Sequence, residues 1–204
     1  HPVKHITTGE GGVVTTNDPI LNEKLRLFRN HGISADHVER SIQGTWIYEM
    51  LDLGYNYRIT DFQSALGISQ LENLDEWVDK RSYIARRYDD AFTSEPGLII
   101  PVVKDFRDPA WHLYVLRFDL DFFTVDRRQI FEALRAENIG VNVHYVPVPM
   151  HPFYRDLGYG MDNLSNTSKS YAQMLTLPIW PRMTDRDIDD TINAVKKVSE
   201  SYRQ

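Results

Sequence analysis

The chain of 204 residues contains no cysteine. That excludes a disulfide framework and a thiolate zinc site, and it suits a reducing compartment. No apolar run approaches the roughly 20 residues needed to span a bilayer, and no stretch reads as a secretory signal. Basic residues are outnumbered: 23 lysines and arginines stand against 29 aspartates and glutamates, for a formal charge of −6. With no basic run beside aromatics, neither a nucleic-acid footprint nor a membrane-surface patch is expected. Internal repeats and low-complexity segments are also missing. What remains is the ordinary composition of a globular protein, 42% hydrophobic and 25% charged, with room for one large domain or two small ones.

The richest stretch is the first dozen residues. Lys4 precedes a short polar-apolar run, His5-Ile6-Thr7-Thr8. The glycine-rich Gly9-Glu10-Gly11-Gly12 follows, and then the β-branched Val13-Val14-Thr15-Thr16. Glycines accept positive φ, so the pattern predicts a β-hairpin with Lys4 at the mouth of its first strand. An amine attacks a carbonyl only when neutral, so a lysine held at a fixed place suits Schiff-base chemistry. A lysine is also the commonest kind of solvated surface charge.

Further along, Asp18-Pro19 opens a helix carrying Leu21, Leu25 and Phe28, with Gly32 as a left-handed stop. His31 at that helix end suits the helix dipole without any site. Residues 33–52 read as a loop with at most a short helix. Thr60 and Gln63 form a capping box. They start a helical pattern running to about Phe92, with a bend expected near Asp75–Trp77. A turn at Glu95-Pro96-Gly97 leads to a short edge-like strand, Leu98-Ile99-Ile100-Pro101. Trp111–Phe118 reads as a strand, and Asp126 caps a helix that stops at Asn138-Ile139-Gly140. Val141–Tyr145 alternates and reads as a strand, residues 166–175 as a short helix. Thr184 caps a final amphipathic helix carrying Ile188, Ile192, Val195 and Val198.

Four ordered stretches carry a resemblance. They are His1-Pro2-Val3-Lys4 with Ile6-Thr7-Thr8-Gly9-Glu10-Gly11-Gly12, Leu53-Gly54-Tyr55-Asn56-Tyr57-Arg58-Ile59-Thr60-Asp61, Trp111-His112-Leu113-Tyr114, and Val143-His144-Tyr145-Val146-Pro147. Together they resemble the DegT-type nucleotide-sugar aminotransferases, enzymes of fold type I that use pyridoxal 5′-phosphate. Within that family the combination is most similar to the 4-aminotransferases of pseudaminic-acid synthesis. The resemblance implies an α/β fold, the C-terminal part of a fold-type-I aminotransferase. Residues 1–75 would be the C-terminal part of the large cofactor-binding domain, and residues 76–204 a small C-terminal α/β domain. It also implies that about half of a longer enzyme precedes the lysine, including the main phosphate-binding turn, the acidic partner of the pyridine nitrogen and the aromatic that stacks on the ring.

The same resemblance implies roles. Lys4 would hold the cofactor as a Schiff base and then serve as the acid–base group. Asn56 would reach the cofactor phosphate of the neighbouring subunit in a homodimer with shared active sites. Arg58 suits a phosphate or a carboxylate. His31, His144 and Tyr145 would face the substrate. The residues alone leave other readings open: Asn56-Tyr57-Arg58 as a loop that caps the next helix, His144 and Tyr145 as structural, and Trp111 and His112 as core and rim. No acidic partner stands near His144 and His151, so no metal site is expected. The implied reaction transfers an amino group from L-glutamate to the 4-keto carbon of a UDP-linked 4-keto-6-deoxy-N-acetylhexosamine, in the cytoplasm. Alternatives are another keto sugar (perosamine, 4-amino-arabinose or a 3-amino sugar) or a non-catalytic regulatory relative that binds the cofactor. An α/β interaction domain without a site is a third reading.

Overall fold

The computed structural model describes residue 1 and residues 3–204. The chain divides into two compact units, His1–Asn73 and Leu74–Gln204.

The first unit is helical and loop-rich. α1 spans Pro19–Phe28, where Asp18 Oδ1 accepts the N–H groups of Ile20 and Leu21 and proline occupies the first turn. α2, His37–Gln43, is the one short helix of the 33–52 segment. Asp36 and Glu39 cap it reciprocally, and Gly44 ends it at φ 64°. α3, Asp61–Leu71, starts at the expected Thr60–Gln63 capping box. The hairpin expected at Lys4 does not form: among the described residues 1–16 there are turns and bends but no strand. A strand needs a laddered partner, and Val13 and Val14 are 86% and 69% exposed, with no sheet face to bury them. The expected long helix is also broken earlier than the bend placed at Asp75–Trp77, because α3 ends at Leu71 and α4 begins at Leu74.

The second unit holds a three-stranded antiparallel sheet in the order β1-β2-β3, with β1 Leu98–Ile99, β2 Tyr114–Phe118 and β3 Met174–Leu177. Leu98 pairs with Phe118 and Tyr114 with Leu177. β2 alternates buried and half-buried residues, so Tyr114, Leu116 and Phe118 point into the core. α4 (Leu74–Phe92), α5 (Arg127–Ala136) and α8 (Asp185–Tyr202) contribute the other core faces. α4 supplies Ile84, Ala85, Tyr88 and Phe92; α5 supplies Ile130 and Leu134; α8 supplies Ile188, Ile192, Val195 and Val198. Each large aliphatic or phenylalanine side chain among these stabilises the fold by ~1.5–3 kcal/mol relative to exposure. Between these elements lie α6 (Pro152–Asp156) and α7 (Ser165–Gln173).

Two local expectations fail here. Val141–Tyr145 is not a strand: only Asn142 bridges Thr176, with Asn142 N–H donating to Thr176 O at 3.2 Å and Thr176 N–H to Asn142 O at 2.7 Å. Val141 is buried, yet Tyr145 is 64% exposed, so the alternation stops. The third strand is instead Met174–Leu177, part of which the sequence suggested as helix. Four residues, Met-Leu-Thr-Leu, are too few to carry a period of their own.

Arg81 ties the strand ends of this unit together. It is 6% exposed, and its Nη1 donates to Trp111 O (3.1 Å), His112 O (3.4 Å) and Ile179 O (2.9 Å). Burial pushes its guanidinium below the usual range. The carbonyls supply the partial negative charge that a buried cation requires.

Candidate functional site

In the first unit the chain crosses itself. α1 ends at Arg29, and His31 and Gly32 then take left-handed angles of 60° and 66°. That tight reversal brings residues 28–32 alongside 51–57. Tyr55 N–H donates to Phe28 O at 2.7 Å, His31 N–H to Tyr55 O at 2.9 Å, Tyr57 N–H to Arg29 O at 2.9 Å and Leu51 N–H to Gly32 O at 2.7 Å. Asn30 and Asn56 form an antiparallel bridge. The approach is close enough to demand glycine on both sides. A Cβ on Gly32 would lie 1.8 Å from Asp52 O, and one on Gly54 would lie 2.1 Å from Gly32 N.

This crossing gathers three of the residues singled out from sequence: His31, Asn56 and Arg58. Arg58 Nη1 donates to Asn30 Oδ1 at 2.6 Å, which fixes the guanidinium against the bridge. Tyr55 and Tyr57 stack at 5.0 Å, with Phe28 5.0 Å from Tyr55. Residues two apart share a face of an extended segment, so Asn56 and Arg58 belong to the face opposite the tyrosines. A groove of about 760 Å³ is lined by Arg58 and Asn30, with Arg26, Arg29 and Arg40 set against Glu23, Asp36 and Glu39. The N–H of Glu39 holds the Asp36 carboxyl below the usual range. Sequence reasoning missed Arg26, Arg29 and Arg40. The only signal was two arginines at one helix end, which the dipole explains equally well.

Lys4 lies in a turn at an exposed position of the same unit. The glycine loop after it is fastened by side chains rather than by a ladder. Thr7 Oγ1 accepts Gly9 N–H at 2.9 Å, where Gly9 has φ 86°, and Gln63 Nε2 donates to Glu10 O at 2.9 Å. Gln63 Oε1 accepts Thr60 N–H at 3.1 Å. The residue that closes the capping box of α3 therefore also anchors the loop that follows Lys4.

In the second unit, His144 Nδ1 lies 2.9 Å from Thr176 Oγ1, and the Tyr145 ring stands edge-on to the imidazole at 4.7 Å. Residues 111 and 112 are half-buried, Trp111 at φ 51° and packed 5.6 Å from the Tyr114 ring. Among the described residues no group of three His, Asp or Glu side chains is placed to hold a metal ion. Among the described residues, no helix is long and apolar enough to cross a membrane.

Comparison with known proteins shows the family of the chain. Residues 1–196 match the model of the DegT/DnrJ/EryC1/StrS aminotransferase family. The spore coat polysaccharide biosynthesis protein SpsC of Bacillus subtilis is 42% identical over 201 residues, 97% of this chain and 52% of that protein. The UDP-4-amino-4,6-dideoxy-N-acetyl-beta-L-altrosamine transaminase of Campylobacter jejuni (serotype O:2) is 37% identical over 206 residues, 99% of this chain and 52% of that protein. Among solved structures, Helicobacter pylori PseC, an aminotransferase of pseudaminic-acid biosynthesis, superposes with a TM-score of 0.85 at 32% identity, over 99% of this chain and 52% of its own. A sugar aminotransferase of Streptococcus pneumoniae, Spr1654 in its PMP-form, gives 0.84 at 26% identity, over 98% and 52%. The chain thus spans about half the length of the relatives it matches.

Proposed function

The chain belongs to the DegT/DnrJ/EryC1/StrS aminotransferase family, and on that premise we propose that the protein transfers an amino group from L-glutamate to the 4-keto carbon of a UDP-linked 4-keto-6-deoxy-N-acetylhexosamine. The observation that carries the reading is the crossing of residues 28–32 and 51–57, which assembles Asn56 and Arg58 in the unit that contains Lys4. The identity to the altrosamine transaminase supports the sugar.

The donor set suits pyridoxal 5′-phosphate: an amine for its aldehyde, and an amide and a guanidinium for phosphate or carboxylate oxygens. When bound, the cofactor supplies an electron sink for the carbon that loses a proton. Lys4 is the attachment point. With the cofactor bound, Lys4 Nζ would be the group that takes the proton from Cα of glutamate and, in the second half, delivers one to C4 of the sugar. Glutamate leaves as 2-oxoglutarate, the keto carbon becomes a primary amine, and no net oxidation occurs. Asn56 would donate its amide to the cofactor phosphate across a homodimer interface, and Arg58 would orient an anionic group. His31, His144 and Tyr145 face substrate. Residues 1–75 then form the end of the large domain and residues 76–204 the small domain, in a cytoplasmic enzyme with no nucleic-acid or membrane partner.

The test is product formation. The protein at its native length is given L-glutamate and a panel of UDP- and dTDP-linked keto sugars, and amino sugars are read by mass spectrometry. A 4-amino product from the UDP-linked N-acetyl sugar is expected. Amination of a different sugar alone would move the assignment to another branch of the family, and no product from any of them would sink it.

A further inference from the structure

A second concave site lies in the unit 74–204, formed by the end of α5 and one face of α8. Its volume is about 420 Å³, within the range of ~300–1,000 Å³ common for small-molecule sites. Asp187, Asp190, Thr191, Ala194 and Lys197 line it, and their spacing places them on one helical face. Across from them, α5 stops at Asn138, which takes φ 64°, so that Glu137, Asn138 and Ile139 turn along the opposite wall. Lys197 Nζ bonds Glu137 Oε1 at 2.7 Å and closes that side.

Three features of the lining point to a ligand class. Trp180 contributes an indole that is 45% exposed. A half-exposed indole bordering a concavity is a platform for the C–H face of a sugar ring or for a cation. Asn138 and Asn193, both exposed at the lining, offer amides that donate and accept, as ring hydroxyls require. The charge is acidic: the Lys197 ammonium is taken by Glu137, while Asp187 and Asp190 remain. Asp187 is occupied by the Thr184 cap at 2.8 and 2.7 Å, and Asp190 has only a loose contact with Arg186 at 3.8 Å. Asp190 is therefore the carboxylate most open to a ligand.

We propose that this groove binds a free amino sugar, with its ring on Trp180, its hydroxyls on Asn138 and Asn193, and its protonated amine beside Asp190. The aromatic face selects a ring, and the carboxylate selects the ammonium. A nucleotide-linked sugar is disfavoured because its diphosphate meets the same carboxylate. The site stands apart from the aminotransferase reading, since none of its residues belongs to the crossing at Asn56 or to the Lys4 loop.

The experiment is an NMR titration of the 15N-labelled chain, following the Trp180 indole N–H, assigned with Trp180→Phe among four tryptophans. At mildly acidic pH, D-glucosamine should shift this resonance saturably at millimolar concentration. N-acetyl-D-glucosamine and D-glucose should bind at least about threefold more weakly, and Asp190→Asn should weaken D-glucosamine by about threefold, the scale of one exposed charge pair. Trp180→Ala should weaken it further. If that variant does not fold, Asn193→Ala on the exposed helix face serves in its place. Absence of a saturable shift, an equal response to D-glucose, or an equal response to tetramethylammonium would each overturn the proposal. Loss of aminotransferase activity would leave these readings unchanged.

Discussion

Lys4 stands in a turn rather than at a strand end, so the Gln63 bond to Glu10 is part of what places it. At native length, Lys4→Ala and Lys4→Arg should both abolish borohydride-trapped labelling by pyridoxal phosphate and reduce turnover to background. Arginine does not deprotonate to attack an aldehyde. Labelling at the wild-type level in Lys4→Ala, located by peptide mapping, would falsify the assignment. Gly54→Ala should destabilise the first unit by ~1–3 kcal/mol or more, because the new Cβ lands 2.1 Å from the Gly32 nitrogen. The tyrosine near-ultraviolet signal should report it, since Tyr55 and Tyr57 stack within the crossing segment. At this scale much was legible. Gly32 read correctly as left-handed, because glycine bears no Cβ penalty. The same conformation at His31 and Trp111 was not legible, because long-range contacts impose it on side chains that disfavour it.

Helix starts were readable, and so were β1 and β2; the third strand was not. The capping boxes at Thr60, Asp126 and Thr184 all formed where the sequence placed them. A cap is decided by residues three apart, whereas a ladder is decided by a partner far along the chain. That is why Met174–Leu177 was missed and Val141–Tyr145 was overread. The elements are also fastened by charge. Glu95, after α4, takes Lys196 Nζ at 3.0 Å and Arg203 Nη2 at 3.4 Å from the end of α8. The hydrogen bond from Lys196 holds the Glu95 carboxyl below its usual range. A depressed folded pKa adds stability that is present above the unfolded value of ~4.3 and is lost as pH falls through the folded value. Glu95→Gln should therefore lower stability by about 0.5–1 kcal/mol at neutral pH, and the gap should close below about pH 4. Urea midpoints of both proteins at neutral and acid pH decide this. A gap that is constant with pH would mean that the effect is packing.

At the scale of the whole molecule, every buried apolar side chain among the described residues lies between Ile84 and Val198, whereas in the first unit Trp46, Ile42 and Phe62 are more than 80% exposed. Limited proteolysis should accordingly cut within residues 1–73 first and leave a resistant product starting near Leu74. Early cleavage inside α4 or α8 would contradict the second unit's independence. The proposed homodimer with shared sites makes a further demand at native length. Mixing inactive Lys4→Ala with inactive Asn56→Ala subunits should restore some activity, because one site in each heterodimer has both residues. If the subunits exchange and the mixture stays dead, Asn56 acts within its own chain. The two units should also differ in how they tolerate drift. A cavity or an overpacked site in the core of residues 74–204 has neighbours that can change size in response. Where residues 28–32 meet 51–57, Gly32 and Gly54 face each other with nothing left to shrink. A suppressor screen on Gly54→Ala should therefore recover reversion but no compensating change at position 32, leaving that pair as a point where the lineage can keep its sequence or lose the crossing.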